Sequence, residues 1–248
     1  FFNFRGDRAI EMSKAFETKD NFEYFDRGIV PDVKYVGMLQ YDGDSKIPEN
    51  FLVEPPHIQN TLTETLIANN MSSFAISETQ KYGHVTYFWN GNKLGKFDEN
   101  LEVFVEVKGD DVTFDQRPWM KSAEITDQVI DALESDKYDF IRLNFPNGDM
   151  VGHTGDMLAT IISVEAVDLA LGRLLPAVKK ADATLIVLAD HGNADEMVDK
   201  KGNVKTSHSL NPVPFIVYNK DVELKEGHFG LANVAATVAD LLEIEPHD

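Results

Sequence analysis

The stretch Ala183–Ala189, Ala-Thr-Leu-Ile-Val-Leu-Ala, is a short unbroken apolar run that leads directly into Asp190 and His191. A run of this length bounded by polar residues reads as a buried strand. A second run, Tyr138–Phe145, is followed by the turn signals Pro146, Asn147 and Gly148, and then by Asp149 and His153. In open α/β sheets ligands bind in the crevice beyond the carboxyl ends of the strands. Both runs therefore deliver carboxylate and imidazole to the place where such a crevice is expected. His208, in the polar loop Lys205–Pro214 ahead of a third strand-like run at Val213–Tyr218, can reach the same place.

The rest of the chain supports an α/β class. Thr61 and Glu64 have the spacing of a capping box opening a helix through Leu62, Leu66 and Ile67, and Ser73–Ser77 reads as the strand that follows. From Asp156 to Lys180, Ile161, Val164, Val167, Leu171, Leu174 and Val178 recur at three- and four-residue steps, which predicts a long helix with one apolar stripe packed in the core. Asn233–Leu242 predicts a final helix. Alternation of strand and helix argues for a parallel sheet. Ahead of Asn60 the texture changes: only Tyr35–Tyr41 reads as a strand, and Pro48 to Pro56 reads as irregular. A boundary is expected near Pro55 and Pro56, dividing the chain into 1–55 and 56–248.

With 23 Lys plus Arg against 42 Asp plus Glu, the net charge of −19 opposes nucleic acid and anionic membrane as partners. No apolar run approaches the ~20 residues of a membrane span, and the amino end has no signal-peptide pattern. Cysteine is absent, so there is no disulfide framework and no thiolate site. Together these predict a cytoplasmic protein. The chain begins without Met inside an apolar stretch, as expected of part of a longer protein.

Asp149 and His153 are four apart, which places them on one face if the segment is helical. An ionised Asp190 at the end of an apolar strand is costly to bury unless it is paired or bound to metal. A mixed carboxylate and imidazole set suits manganese, zinc or iron better than calcium, and neighbouring sets make a two-metal site of the kind used in phosphoryl chemistry. Phosphate recognition also calls for positive charge. Arg5 and Arg8 form an Arg-x-x-Arg pair, and Lys81 follows the strand at 73–77.

Several blocks are long enough to carry a resemblance. Phe1–Arg8, Glu78-Thr-Gln-Lys-Tyr-Gly-His-Val-Thr-Tyr-Phe-Trp-Asn-Gly91, Asp149-Met-Val-Gly-His-Thr-Gly155, Ala189-Asp-His-Gly-Asn-Ala-Asp195 and His208–Pro214 resemble cofactor-independent phosphoglycerate mutase, nearly end to end over its carboxyl-terminal half. The resemblance implies an alkaline-phosphatase-like α/β domain, with a mainly parallel sheet flanked by helices, over 56–248. Residues 1–55 would be a short tail of the transferase domain. Shorter versions of these motifs recur in phosphopentomutase and metallophosphatases, and in a non-catalytic metal-binding domain they would serve binding alone. The long block around Lys81 favours the mutase.

By resemblance, Asp149, His153 and His208 hold one manganese, and Asp190 and His191 contribute to a second, with Mg²⁺, Co²⁺ or Zn²⁺ as substitutes. Lys81 faces substrate or phosphoserine, and Arg5 and Arg8 grip phosphoglycerate. The reaction interconverts 3-phosphoglycerate and 2-phosphoglycerate through a phosphoserine. The family's Ser-Glu-Val-Gly-His element, which carries the nucleophile, has no counterpart here. Alone, the chain is expected to bind metal at the first set, to bind weakly at the second and to lack mutase activity. A strand supplied by the amino-terminal half would leave an open edge in its absence, so dimerisation or poor solubility is expected. Gly6, where the family often has alanine, is expected to loosen the backbone between the arginines.

Overall fold

The computed structural model describes residues 1–19, 22–30, 32–42, 45–54 and 58–245. The expected boundary at Pro55 and Pro56 lies outside the described residues. In chain order the elements are α1 (Asp7–Glu17), β1 (Gly37–Leu39), β2 (Phe51–Val53), α2 (Leu62–Ala68), β3 (Ser73–Glu78), α3 (Thr79–Val85), β4 (Glu102–Val107) and α4 (Ser122–Glu134). They continue with β5 (Phe140–Asn144), α5 (Asn147–Gly152), α6 (Met157–Lys180), β6 (Leu185–Leu188), β7 (Phe215–Tyr218) and α7 (Val234–Leu241). The α/β class and the expected order of strands and helices from Asn60 onward are present. Five elements are additional to those expected: β4, α4, α1, α3 and the short β2, which interrupts the segment read as irregular.

β3 is the centre of the main sheet. It pairs in parallel with β4 on one side and β5 on the other, in the order β4-β3-β5, and all six of its residues are buried. Its side chains alternate across the sheet. Phe74 and Ile76 face a core made with Ile125, Val129 and Ala132 of α4 and Leu174 of α6. The opposite layer is formed by Leu62 and Leu66 of α2 with Val238 of α7. The capping box of α2 forms as the sequence predicts: Glu64 donates its N–H to Thr61 Oγ1 at 3.3 Å, and Thr61 N–H donates to Glu64 Oε2 at 2.7 Å. At the carboxyl end of β3, Glu78 accepts the N–H of Lys121 at 3.0 Å, which anchors the start of α4.

On the α2 side, the sheet buries a charge pair. Arg142 on β5 is 5% exposed and Glu102, the first residue of β4, is fully buried, with Arg142 Nη2 3.7 Å from Glu102 Oε1. Arg142 Nε donates to Val85 O at 2.7 Å, and its guanidinium lies over the rings of Trp89 and Phe104. Glu102 also accepts from Asn90 Nδ2 at 3.0 Å and from the backbone N–H of Phe97. Burial pushes the guanidinium down to about 10, while Glu102 favours its charged form.

The sheet is not continuous. β6 pairs antiparallel with β7, and neither the free edge of β5 nor that of β6 pairs with a strand among the described residues. Between them lies a groove of about 880 Å³, lined along its length by residues of both strands and by Val164, Val167 and Leu171 of α6. This revises the expected stripe of α6. Leu174 and Val178 are in the core, but Ile161 and Val164 are about half exposed. The stripe faces an open groove instead of a covering strand.

At the amino end, the N-terminal ammonium of Phe1 donates to Val36 O and Met38 N–H donates to Phe1 O, so the chain start lies against β1. Tyr87 donates to Tyr41 O at 3.0 Å and ties the segment that follows β1 to the segment beyond α3. Gly6 adopts an ordinary right-handed helical conformation with φ −78°, and an added Cβ would meet only ordinary contacts. Alanine would therefore fit at this position without strain.

Glu102→Gln leaves Arg142 with an uncompensated buried charge, and a loss of about 3–5 kcal/mol in urea unfolding is expected. A loss below about 1 kcal/mol would show that the pair does not hold these strands. Two unpaired strand edges across one groove also favour self-association. Sedimentation velocity is expected to show a concentration-dependent dimer, and a monomer throughout would remove that consequence.

Candidate metal centre

Parallel pairing brings the carboxyl ends of β3 and β5 to one edge of the sheet, and the helices that follow carry the charged groups. Lys81 lies on α3, three residues beyond β3, and is 8% exposed. Asp149 lies on α5, with His153 at that helix's carboxyl end. Helical spacing puts them together as predicted: His153 Nε2 is 3.0 Å from Asp149 Oδ1. His208 Nε2 approaches the same oxygen at 3.1 Å, and Lys81 Nζ lies 2.6 Å from the other, Oδ2.

His191 completes the cluster from the loop after β6. Ligand atoms of Asp149, His191 and His208 all lie within 4.8 Å of one another, and the His191 and His208 rings stack with centroids 3.6 Å apart. His153 Nδ1 lies 2.6 Å from Thr206 O, so it serves as donor to that carbonyl and its Nε2 is turned toward Asp149. Between each imidazole and the carboxylate, a proton and a divalent ion are alternatives for the same position. A carboxylate with two convergent imidazoles, His191 and His208, and a third, His153, against one of its oxygens fits a first-row divalent metal.

The expectation for Asp190 is revised. Its side chain is 51% exposed, so the cost of burying charge does not argue for a ligand there, and it lies 3.5 Å from His191 Nε2. The more enclosed carboxylate is Asp149, whose side chain is 14% exposed. Burial disfavours its ionised form, but the ammonium of Lys81, the amide of Asn193 and His153 outweigh burial and hold the carboxyl at about 2. Arg5 and Arg8 stand at the start of α1, on the tail that meets Tyr87 beyond α3.

Two supports were not legible in the sequence. Asn193 Nδ2 donates to Asp149 Oδ1 at 3.1 Å and to Asp149 O at 3.3 Å, and its packing leaves no room for a Cβ at Gly152. The only signal for Asn193 was its position in the Asp190–Asp195 block. The Thr206 carbonyl carries no side-chain signal at all.

Fold and site together define an α/β domain built to hold metal at the carboxyl edge of its sheet. A family model described as the metalloenzyme superfamily matches residues 17–246, and the chain belongs to that superfamily. It is 52% identical over 99% of its length to a probable 2,3-bisphosphoglycerate-independent phosphoglycerate mutase of Leptospira interrogans, covering 47% of that protein. It is 51% identical over 98% of its length to the enzyme of the same name from Trypanosoma brucei brucei, covering 47% of it. A crystal structure of Leishmania mexicana phosphoglycerate mutase at low cobalt concentration superposes with a TM-score of 0.92 at 50% identity, over 99% of this chain and 48% of that one. The chain thus spans about half the length of the relatives it matches. No described helix is long and apolar enough to cross a membrane.

Asp149 has a folded-state pKa below its ordinary unfolded value of about 3.9. Its ionisation therefore contributes stability that is present above about pH 4 and is lost as pH falls toward 2. In urea unfolding of the metal-free chain, the advantage of wild type over Asp149→Asn is expected to shrink across that window. A pH-independent difference would show that Lys81 does not govern this carboxylate.

Proposed function

We propose that this chain is the metal-binding half of a manganese-dependent phosphoglycerate mutase, which interconverts 3-phosphoglycerate and 2-phosphoglycerate. The observation that carries the reading is the division of labour at Asp149. One oxygen faces Lys81, and the other faces His153 and His208. The identity of about half its residues to enzymes of that name, over nearly the whole chain, supports the substrate class.

Asp149, His153 and His208 would hold one ion, and Asp190 and His191 would contribute to a second. His191 stands close enough to Asp149 and His208 to serve either. A divalent ion there supplies Lewis-acid stabilisation of phosphoryl oxygens. Manganese is the proposed ion, and the cobalt named for the Leishmania structure supports cobalt as a substitute. Lys81 presents a compact positive charge at the same carboxylate, suited to a phosphoryl oxygen. Arg5 and Arg8 would bind the carboxylate or phosphate of the glycerate from the tail.

The remaining half would provide the serine that accepts the phosphoryl group and the bulk of the transferase domain, as a partner segment of the same protein working in the cytoplasm. A strand from that half would also fit between β5 and β6. The 248-residue chain alone would bind metal without turnover.

The test follows 3-phosphoglycerate with Mn²⁺ by ³¹P NMR, using this chain and a version extended to the length of the relatives. Formation of 2-phosphoglycerate by the extended protein alone is expected. Turnover of pentose phosphates or simple phosphomonoesters in preference would overturn the substrate assignment. Conversion by the 248-residue chain itself would place a nucleophile within it. Mn²⁺ should bind the chain in calorimetry and should bind His153→Ala much more weakly.

A further inference from the structure

The loop after β6 carries another carboxylate, Asp195, that the metal reading leaves without a role. Its oxygens accept the Ser209 hydroxyl at 2.8 and 3.1 Å and Asn211 Nδ2 at 2.7 Å. These contacts engage both oxygens of the carboxylate with donors from the His208 loop. Asp195 lies outside the group formed by Asp149, His191 and His208.

Its partners are what give it meaning. Ser209 directly follows His208, and Ser209 N–H donates at 2.9 Å to the carbonyl of Gly192, which directly follows His191. A side chain at Gly192 would run into both the Ser209 hydroxyl and the Asp195 carboxylate, so the clamp closes on the backbone beside His191. The loop of His191 and the loop of His208 are thus joined beside the imidazoles by the Gly192–Ser209 bridge and by the Asp195 carboxylate, while the Val198–Val204 bridge and the Lys205 N–H to Met197 O bond join the two arms further along. The two imidazoles stack immediately beside that joint.

We propose that Asp195 is a positioning residue, which fixes the spacing of His191 and His208 through Ser209 before a divalent metal arrives. The proposal rests on the metal reading above. Two imidazoles on separate loops are free to move relative to each other unless the loops are joined. Hydrogen-bonded partners behind metal ligands set ligand orientation, and their removal weakens metal binding roughly 10–100-fold.

The test uses the 248-residue chain with two readouts. Without metal, stacking shifts the imidazole CH signals of His191 and His208 by ring currents in ¹H–¹³C NMR. Asp195→Ala is expected to move both sets toward free-imidazole positions while core methyl signals stay in place. With Mn²⁺ alone, calorimetry is expected to show roughly 10–100-fold weaker binding by Asp195→Ala. Ser209→Ala should reproduce part of this, and the double variant should lose no more than Asp195→Ala, because the two act through one contact. If Asp195→Ala does not fold, Ser209→Ala alone carries both comparisons. Unchanged histidine signals, or wild-type affinity for Mn²⁺ in a folded variant, would overturn the proposal. If the signals move while even the wild-type chain takes up no Mn²⁺, the clamp stands and the metal reading falls.

Discussion

Parallel pairing of β3 with strands on both sides is the constraint on which the rest of the structure depends. β3 is buried along its whole length, so it needs helices over both faces, and α4 with α6 and α2 with α7 supply them. Parallel neighbours end at the same edge. Segments far apart in the chain, the helix after β3 and the helix after β5, therefore begin beside each other, and Lys81 meets Asp149 there. The same pairing forces Arg142 and Glu102 into the interior on the α2 side. They are tolerated there because each is supplied with hydrogen bonds from the surrounding backbone and from Asn90.

Charge at the site is balanced locally in a chain whose overall charge is strongly negative. Asp149 is the pivot: a half-buried carboxylate kept ionised by a lysine on one oxygen and faced by two imidazoles on the other. Such an arrangement favours a divalent cation over protonation of the carboxyl, since the opposing charges have already depressed its pKa. Loops 190–195 and 205–211 add the remaining groups. They are held by the Gly192–Ser209 bridge and by Asp195, so the imidazoles arrive from two places in the chain with their separation already set.

The groove between β5 and β6 explains the one large departure from the expected core. Periodicity correctly marked one face of α6 as apolar, and Leu174 and Val178 are buried as that face requires. Val164, half exposed nearer the amino end of the helix, instead faces an opening in the sheet. Periodicity reports which face of a helix avoids water, but it cannot report whether the element that covers it lies within the same stretch of chain. β4 and α4 went unread for a related reason. Charged residues interleave with the apolar ones in both, so the pattern becomes decisive only once β3 and α6 lie against them.

Local chemistry was sufficient for the features the sequence determined by itself. The capping box at Thr61, the strands at 73–77 and 185–188, the helical pairing of Asp149 with His153 and the delivery of His191 to a strand end all follow from residues within a few positions of one another. Tertiary structure alone decided which carboxylate is enclosed. Asp190 follows the more apolar strand yet is half exposed, whereas Asp149 is enclosed by Lys81, Asn193 and two histidines drawn from four segments. Burial is a property of what packs around a residue, and those neighbours are assembled by strand pairing between segments that the sequence does not place side by side.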